Sequence, residues 1–168
     1  MKHLLLTPAF ICFSLWISAQ SERPRSSDPR LAKLLDQRFP DDKITDMLGQ
    51  AVRFSNESRP TLVNLWFTTC EPCIEEIPVL NQLIKKYGSK YNFVALTFDT
   101  RERIEKFKAK HTFDFPKALI PYHELEKIGI TKYPLTFILT KDGKIDRIWG
   151  SVTKDDIEEV VSELHQLE

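Results

Sequence analysis

Apolar residues along the chain recur with two different spacings, which predict alternating strands and helices. The segment 61–67 is almost continuously apolar, as is typical of a strand buried on both faces of a sheet. Apolar residues then recur every three or four positions over 72–87, which predicts a helix that ends at Gly88. A second apolar strand is predicted over 92–98, followed by a charged helix over 101–111.

The C-terminal part of the chain continues this alternation. A short helical turn is predicted over 124–128, then a strand over 134–140. The turn signal at 142–143 leads into another strand over 144–149, and the last helix is expected to begin near Thr153. This order of elements predicts an α/β fold with a central mixed sheet flanked by helices.

The first residues of the chain have the composition of an export signal. Lys2 and His3 precede an apolar stretch over 4–17 that ends in small residues. This pattern indicates a secretory signal peptide over 1–19, cleaved near Ala19, and an extracytoplasmic, periplasmic location for the mature protein. An uncleaved membrane anchor is the alternative, but the stretch is shorter than the roughly 20 apolar residues that span a bilayer.

The pattern is weak between this signal and the first buried strand. Residues 20–38 are polar and contain prolines, which predicts a flexible lead. Within it and just beyond, the segment 31–39 can form a short helix, and a short strand is predicted over 51–54.

Length and charge restrict the protein further. The chain has 168 residues, enough for one sizeable core, and a single domain is predicted over 39–168. Lysine plus arginine and aspartate plus glutamate number 24 each, so no basic surface points to nucleic acid as a partner. No motif calls for a cofactor, and we expect none.

Two cysteines remain when the signal is removed, because Cys12 lies within it. Cys70 and Cys73 follow the first buried strand and are separated by two residues. A bond between them closes a very short ring and stabilises the fold little, so redox chemistry explains the pair better than a structural disulfide. Half of a zinc site is another alternative, but the remaining candidate ligands are not paired at metal-ligand spacing: His111, His123 and His165.

The predicted start of the helix favours a reactive thiolate at Cys70. A thiolate is the species that attacks a disulfide, and unpaired N–H groups in the first turn of a helix favour negative charge. Cys73 lies one turn further in, where it can attack a mixed disulfide formed at Cys70. Pro72 suits the first turn, and Glu71 adds negative charge that tunes the thiol pKa.

The segment 62–73, LVNLWFTTCEPC, resembles the active-site segment of the TlpA/ResA branch of the thioredoxin superfamily. The resemblance includes Glu76, Pro78 and the segment 129–137, which is similar to the cis-proline stretch of this branch. It covers about 39–164, most of the mature chain. The resemblance implies a thioredoxin-like fold and an extracytoplasmic thiol–disulfide oxidoreductase.

The resemblance also implies roles for individual residues. Cys70 would be the attacking nucleophile and Cys73 the resolving thiol. Pro134 would follow Tyr133 through a cis peptide bond, and this loop would bind an extended segment of the substrate.

Glu76 resembles an acidic residue that this branch keeps near its active site. A partly buried carboxylate there would have a raised pKa and could exchange a proton with Cys73, although a glutamate pair is also typical of a solvated helix face. Asn64 stands where many thioredoxins have a buried aspartate, and it cannot take a proton.

Thr69 replaces the usual tryptophan before the first cysteine. Asp99 follows a strand end, a position that allows a functional role, but we expect it to cap the helix that follows it.

The resemblance implies partners as well. Substrates would be disulfides of exported proteins such as apocytochromes c, and the enzyme would act as a reductant. Separately from the resemblance, we expect the protein to be a monomer. A membrane thiol transporter of the DsbD/CcdA kind would return it to the reduced form. Two alternatives stay open: a peroxiredoxin-like peroxidase, and a copper- or peptide-binding module that keeps the fold without turnover.

Overall fold

A mixed sheet runs through the part of the chain that the structure, a computed structural model, describes: residues 24–55 and 57–168. Its strands follow the order β1-β4-β3-β2-β5-β6. The strands are β1 Thr45–Asp46, β2 Thr61–Leu65, β3 Asn92–Thr97, β4 Lys117–Leu119, β5 Leu135–Leu139 and β6 Ile145–Trp149. Strands β2, β3 and β4 are parallel, whereas β1, β5 and β6 each pair antiparallel to a neighbour.

Helices cover both faces of this sheet: α1 Glu71–Tyr87, α2 Arg101–Lys108, α3 Tyr122–Lys127 and α4 Ile157–Gln166. Successive side chains of a strand point to opposite faces, and β2 shows this directly. Leu62 packs in the core cluster with α1 and α4, whereas Val63 and Leu65 pack in the cluster on the other face. Because both faces of β2 are buried, its sequence is a nearly continuous apolar run. The predicted α/β fold with a central mixed sheet is confirmed.

The end of the sheet formed by β1 and β4 departs from the predicted elements. The strand predicted over 51–54 is wrong, since only Ala51 forms a bridge there, to Thr45 in β1. Strands β1 and β4 were not predicted, because two and three residues are too few to show a repeat. Strand β1 is the edge strand, and β4 lies between it and β3.

The described part of the predicted flexible lead, residues 24–38, packs against the domain. Ser26 forms a parallel bridge to Ile148 in β6, and a 3-10 helix spans Ala32–Leu34. Leu31 and Leu34 are both buried in the core cluster that contains Ile148. The prediction that this segment is flexible is therefore corrected. Two leucines three positions apart give the segment one apolar face, which packs in the core. The core therefore extends to residues before the predicted domain boundary at residue 39.

The signal peptide predicted over 1–19, with cleavage near Ala19, falls outside the described residues and stays a prediction. The same holds for the alternative of an uncleaved anchor. Among the helices of residues 24–55 and 57–168, none has the length and apolar composition needed to cross a membrane.

Truncation of Leu31 tests whether the N-terminal segment stabilises the domain. Leu31 is 4% exposed, so we expect Leu31→Ala to lower the free energy of unfolding by about 2–5 kcal/mol, as for other buried leucines. Leu48 is 82% exposed, and Leu48→Ala should change stability by less than about 0.5 kcal/mol. Urea unfolding followed by circular dichroism measures both. Equal, small effects would show that the segment does not contribute to the fold.

Candidate active site

The cysteine pair lies at the N-terminus of α1 and forms a disulfide. The Cα atoms of Cys70 and Cys73 are 5.2 Å apart. Cys70 is the N-cap of the helix, where its sulfur accepts a hydrogen bond from the Cys73 N–H at 3.3 Å. Cys70 is 5% exposed and Cys73 1% exposed. The structure thus places Cys70 at the helix start, as predicted, with Cys73 deeper in the protein.

The first turn of α1 presents further predicted residues beside the pair. Glu71 is the first residue of the helix and Pro72 the second, and both are exposed. The missing N–H of proline costs nothing here, because first-turn N–H groups have no partner within the helix. Thr69 is exposed as well, so a small polar side chain precedes Cys70 at the surface.

The loop before Cys70 is held by Asp99, which follows the end of β3. The Thr68 N–H donates to Asp99 Oδ2 at 2.6 Å, and Asp99 is buried. The prediction that Asp99 caps α2 is wrong, because the cap is Thr100, whose hydroxyl accepts from the Arg103 N–H at 3.3 Å. Asp99 belongs to the site for a different reason: β2 and β3 are parallel neighbours, so the residues after each strand meet.

Glu76, three residues after Cys73 on α1, is buried, with 3% of its surface exposed. Its Oε1 accepts a hydrogen bond from Asn64 Nδ2 at 2.7 Å. Its Oε2 accepts from the Val152 N–H at 2.8 Å and from the Ser151 hydroxyl at 3.1 Å. A carboxylate with these three donors is not part of a solvated helix face.

Burial controls the acidity of Glu76. Removal from water raises the pKa of Glu76 from its ordinary value of 4.5 to about 7, and the hydrogen bonds from Val152, Asn64 and Ser151 lower it only in part. Glu76 also lies three residues after Cys73 on α1, a spacing that puts Cβ atoms about 5–6 Å apart. Glu76 is therefore a buried acid about one helical turn from Cys73, and its carboxyl group titrates near neutral pH.

Asn64 connects Glu76 to strand β5. Its Nδ2 donates to both Glu76 and the Thr136 hydroxyl oxygen, the latter at 3.1 Å. Its Oδ1 is buried and has no hydrogen-bond partner in the described part of the chain. Thr136 follows Pro134 by two residues, so one buried polar network links Glu76 to the loop before β5.

This loop contains the predicted cis peptide bond, between Tyr133 and Pro134. Pro134 is buried and Tyr133 half-buried. The Tyr133 ring packs edge-on against Phe67, with 5.4 Å between ring centroids, and both rings border the core cluster that contains the two cysteines. The cis-proline loop and the disulfide thus come together, although they are about 60 residues apart in the chain.

A disulfide at the N-terminus of a helix, beside a cis-proline loop and in a sheet with this strand order, defines a thiol–disulfide oxidoreductase of the thioredoxin-like fold. Residues 35–148 match the AhpC/TSA family, and the chain belongs to that family.

Relatives with established names support the same class. The thiol–disulfide oxidoreductase ResA of Bacillus thuringiensis subsp. konkukian (strain 97-27) is 31% identical over 126 residues, which cover 72% of this chain and 73% of ResA. The thioredoxin-like protein YneN of Bacillus subtilis (strain 168) is 30% identical over 129 residues, 73% of this chain and 76% of YneN. The resemblance to the TlpA/ResA branch is confirmed, and the protein is an enzyme of this class.

A solved structure supports the fold independently. The thio-disulfide isomerase of Thermus thermophilus superimposes with a TM-score of 0.64 and covers 80% of this chain and 98% of its own. At 20% sequence identity, this likeness shows the thioredoxin-like fold and no more.

The burial of Glu76 predicts that the stability of the disulfide form depends on pH. The folded pKa of about 7 lies above the ordinary 4.5, so the folded state holds this proton more tightly than the unfolded state. The resulting stability is fully present below about pH 4.5 and is lost as the pH rises through 7. For a shift of this size the loss is about 3 kcal/mol.

Urea unfolding of wild type and Glu76→Gln at a series of pH values measures this loss. We expect the wild-type free energy of unfolding to fall by that amount relative to Glu76→Gln. The matched control is Glu75→Gln, because Glu75 is exposed on the same helix and should keep the wild-type pH dependence. If wild type and Glu76→Gln vary equally with pH, Glu76 does not titrate as described.

Proposed function

We propose that this thiol–disulfide oxidoreductase works outside the cytoplasm and reduces disulfides of exported proteins, apocytochromes c among them. The observation that carries the proposal is the Cys70–Cys73 disulfide at the start of α1 with the buried carboxyl of Glu76 one turn further along. This arrangement supplies a nucleophile, a resolving thiol and a proton acceptor on one rigid helix.

The reaction proceeds through a mixed disulfide. In the dithiol form, the Cys70 thiolate attacks one sulfur of the substrate disulfide, forms a bond to it and releases the other substrate sulfur as a thiolate. The Cys73 thiolate then attacks the Cys70 sulfur and releases the second substrate thiolate. The substrate gains two electrons, and the enzyme is left with the disulfide present in the structure. A dithiol reductant must return two electrons for the next cycle.

Glu76 acts on the second step. Cys73 is 1% exposed, so solvent has little direct access to its proton before it attacks. The Glu76 carboxyl, with its pKa near 7, accepts that proton in its ionised form and can return it when the thiol is restored.

The charges of α1 support the reducing direction. The helix carries Glu71 and Glu75 in its first half, and its first lysine is Lys85 near the other end. Negative charge near a thiolate disfavours it and opposes the positive end of the helix dipole. An enzyme whose reduced form is less stabilised gives up its electrons more readily.

The extracytoplasmic location rests on the N-terminal sequence. The charged start and apolar stretch within 1–19 are those of a secretory signal. In that compartment a membrane thiol transporter of the DsbD/CcdA kind would supply the two electrons, and we propose that the mature enzyme acts on its substrates as a monomer.

Trapping a mixed disulfide tests both the activity and the substrates. In Cys73→Ala the second step cannot occur, so Cys70 should stay bonded to proteins of the extracytoplasmic fraction. Mass spectrometry of the captured chains should find apocytochromes with the haem-attachment sequence Cys-x-x-Cys-His. Cys70→Ala is the control and should capture nothing from this fraction. If Cys73→Ala also captures nothing, the proposed activity is wrong. Capture of exported proteins that all lack this sequence would refute the apocytochrome substrates.

The proton transfer predicts a pH profile for the second step. In the wild type, the rate at which a preformed mixed disulfide resolves should rise with pH through about 7, as Glu76 ionises. In Glu76→Gln the rise should move toward the ordinary cysteine pKa of about 8.5. Stopped-flow measurement between about pH 5.5 and 9 gives both profiles, with Glu75→Gln as the control that keeps the wild-type curve. An unchanged profile in Glu76→Gln would remove Glu76 from the mechanism.

A further inference from the structure

Four aromatic side chains form a continuous surface beside the disulfide: Phe67, Phe98, Tyr122 and Tyr133. We call this surface the aromatic wall. Phe67 and Phe98 lie 5.4 Å apart between ring centroids, and Tyr133 lies 5.4 Å from Phe67 and 5.5 Å from Phe98. Tyr122 extends the row outward, 5.1 Å from Phe98. All four distances lie within the range of favourable ring pairs.

The topology places the aromatic wall at the edge of the sheet that carries the reactive sulfurs. Phe67 and Phe98 follow the carboxyl ends of the parallel strands β2 and β3, and Tyr133 immediately precedes the cis-proline. The Phe67 carbonyl oxygen accepts the Cys70 N–H at 3.1 Å. One end of the aromatic wall therefore borders the disulfide, and the other end is Tyr122 at the start of α3.

The outer end of the aromatic wall is open to solvent. Tyr122 is 42% exposed, and among the described residues the other exposed large apolar side chain is Leu48. Phe67, Phe98 and Tyr133 are each half-buried. A row of rings that is continuous with an active site and only partly covered marks a binding surface more often than a scattered exposed residue does.

Thr69, directly before Cys70, is exposed and offers only a small polar side chain. The aromatic wall supplies the apolar contact near Cys70 that Thr69 does not.

We infer that the aromatic wall recognises an aromatic side chain lying within about two residues of the reacting cysteine in the substrate. The inference rests on the proposed function, since it names the class of disulfide that the Cys70–Cys73 pair reduces. The substrate ring packs against Tyr122 and Phe98 while its neighbouring disulfide reaches Cys70. An aromatic pair gains more than the burial of equal aliphatic surface, which makes the aromatic wall selective for rings.

Three synthetic peptides test this selectivity. Each is a disulfide-linked dimer through a single cysteine, with phenylalanine, leucine or serine at both the second residue before and the second residue after that cysteine. We expect the wild type to reduce the phenylalanine peptide with a kcat/KM roughly three- to tenfold above that of the serine peptide. The leucine peptide should fall between them, and the difference should lie mainly in KM.

Substitution of the aromatic wall should reduce this preference. Tyr122→Ser changes an exposed residue, and the ratio of kcat/KM between the phenylalanine and serine peptides should fall toward one. Phe98→Leu provides a second test of the same ratio, because it keeps an apolar side chain but removes the ring. The control is Leu48→Ser, which removes an exposed apolar side chain outside the aromatic wall and should keep the wild-type ratio.

A non-peptide disulfide separates failure of this inference from failure of the proposed function. If wild type exchanges with hydroxyethyl disulfide but reduces the three peptides equally, the aromatic wall does not select substrates, and the same holds if Tyr122→Ser keeps the wild-type ratio. Equal rates for the leucine and phenylalanine peptides would overturn the preference for rings. If wild type does not exchange even with hydroxyethyl disulfide, both the proposed function and this inference are wrong.

Discussion

The arrangement of the site depends on the hydrogen bonds that the buried carboxyl group of Glu76 accepts. This group joins α1 to β2 through Asn64 and to the connection after β6 through Val152 and Ser151. A carboxyl group removed from water is tolerated only where donors replace the lost solvent, so α1 keeps its place only while all these elements are in position. The same hydrogen bonds offset only part of the effect of burial on the pKa of Glu76, so the group that joins these elements also titrates near neutral pH.

A second buried carboxylate also holds part of the site in place. Asp99 holds the Thr68 N–H, which fixes the loop that delivers Cys70 to the start of α1. On the far side of this loop, the Phe67 ring contacts Tyr133 of the cis-proline loop. The segment before Cys70 is thus held by residues next to two other strands, Asp99 after β3 and Tyr133 before β5, which favours a fixed geometry of the cysteine pair.

Local patterns predicted the parts of the site that lie close together in the chain. The apolar run before Cys70 and the three- and four-residue repeat after Cys73 give the strand–helix junction, because each repeat reports directly on which faces are buried. The same reasoning assigned Asp99 to a helix cap and residues 20–38 to a flexible lead. Both interpretations failed because the decisive contacts, with Thr68 and with β6, come from elsewhere in the chain.

The sequence by itself determined the reactive pair, its place at a helix N-terminus and the order of the main strands and helices, since these follow from spacing within short segments. Only the tertiary structure decided which face of α1 holds Glu76, because the Val152 N–H that it binds lies 76 positions away. It also decided that four rings from separate parts of the chain form one wall beside the disulfide. These side chains meet because parallel strands bring their carboxyl ends to one edge of the sheet. A local repeat in the sequence shows which face of a segment is buried, but not which distant side chains that face contacts.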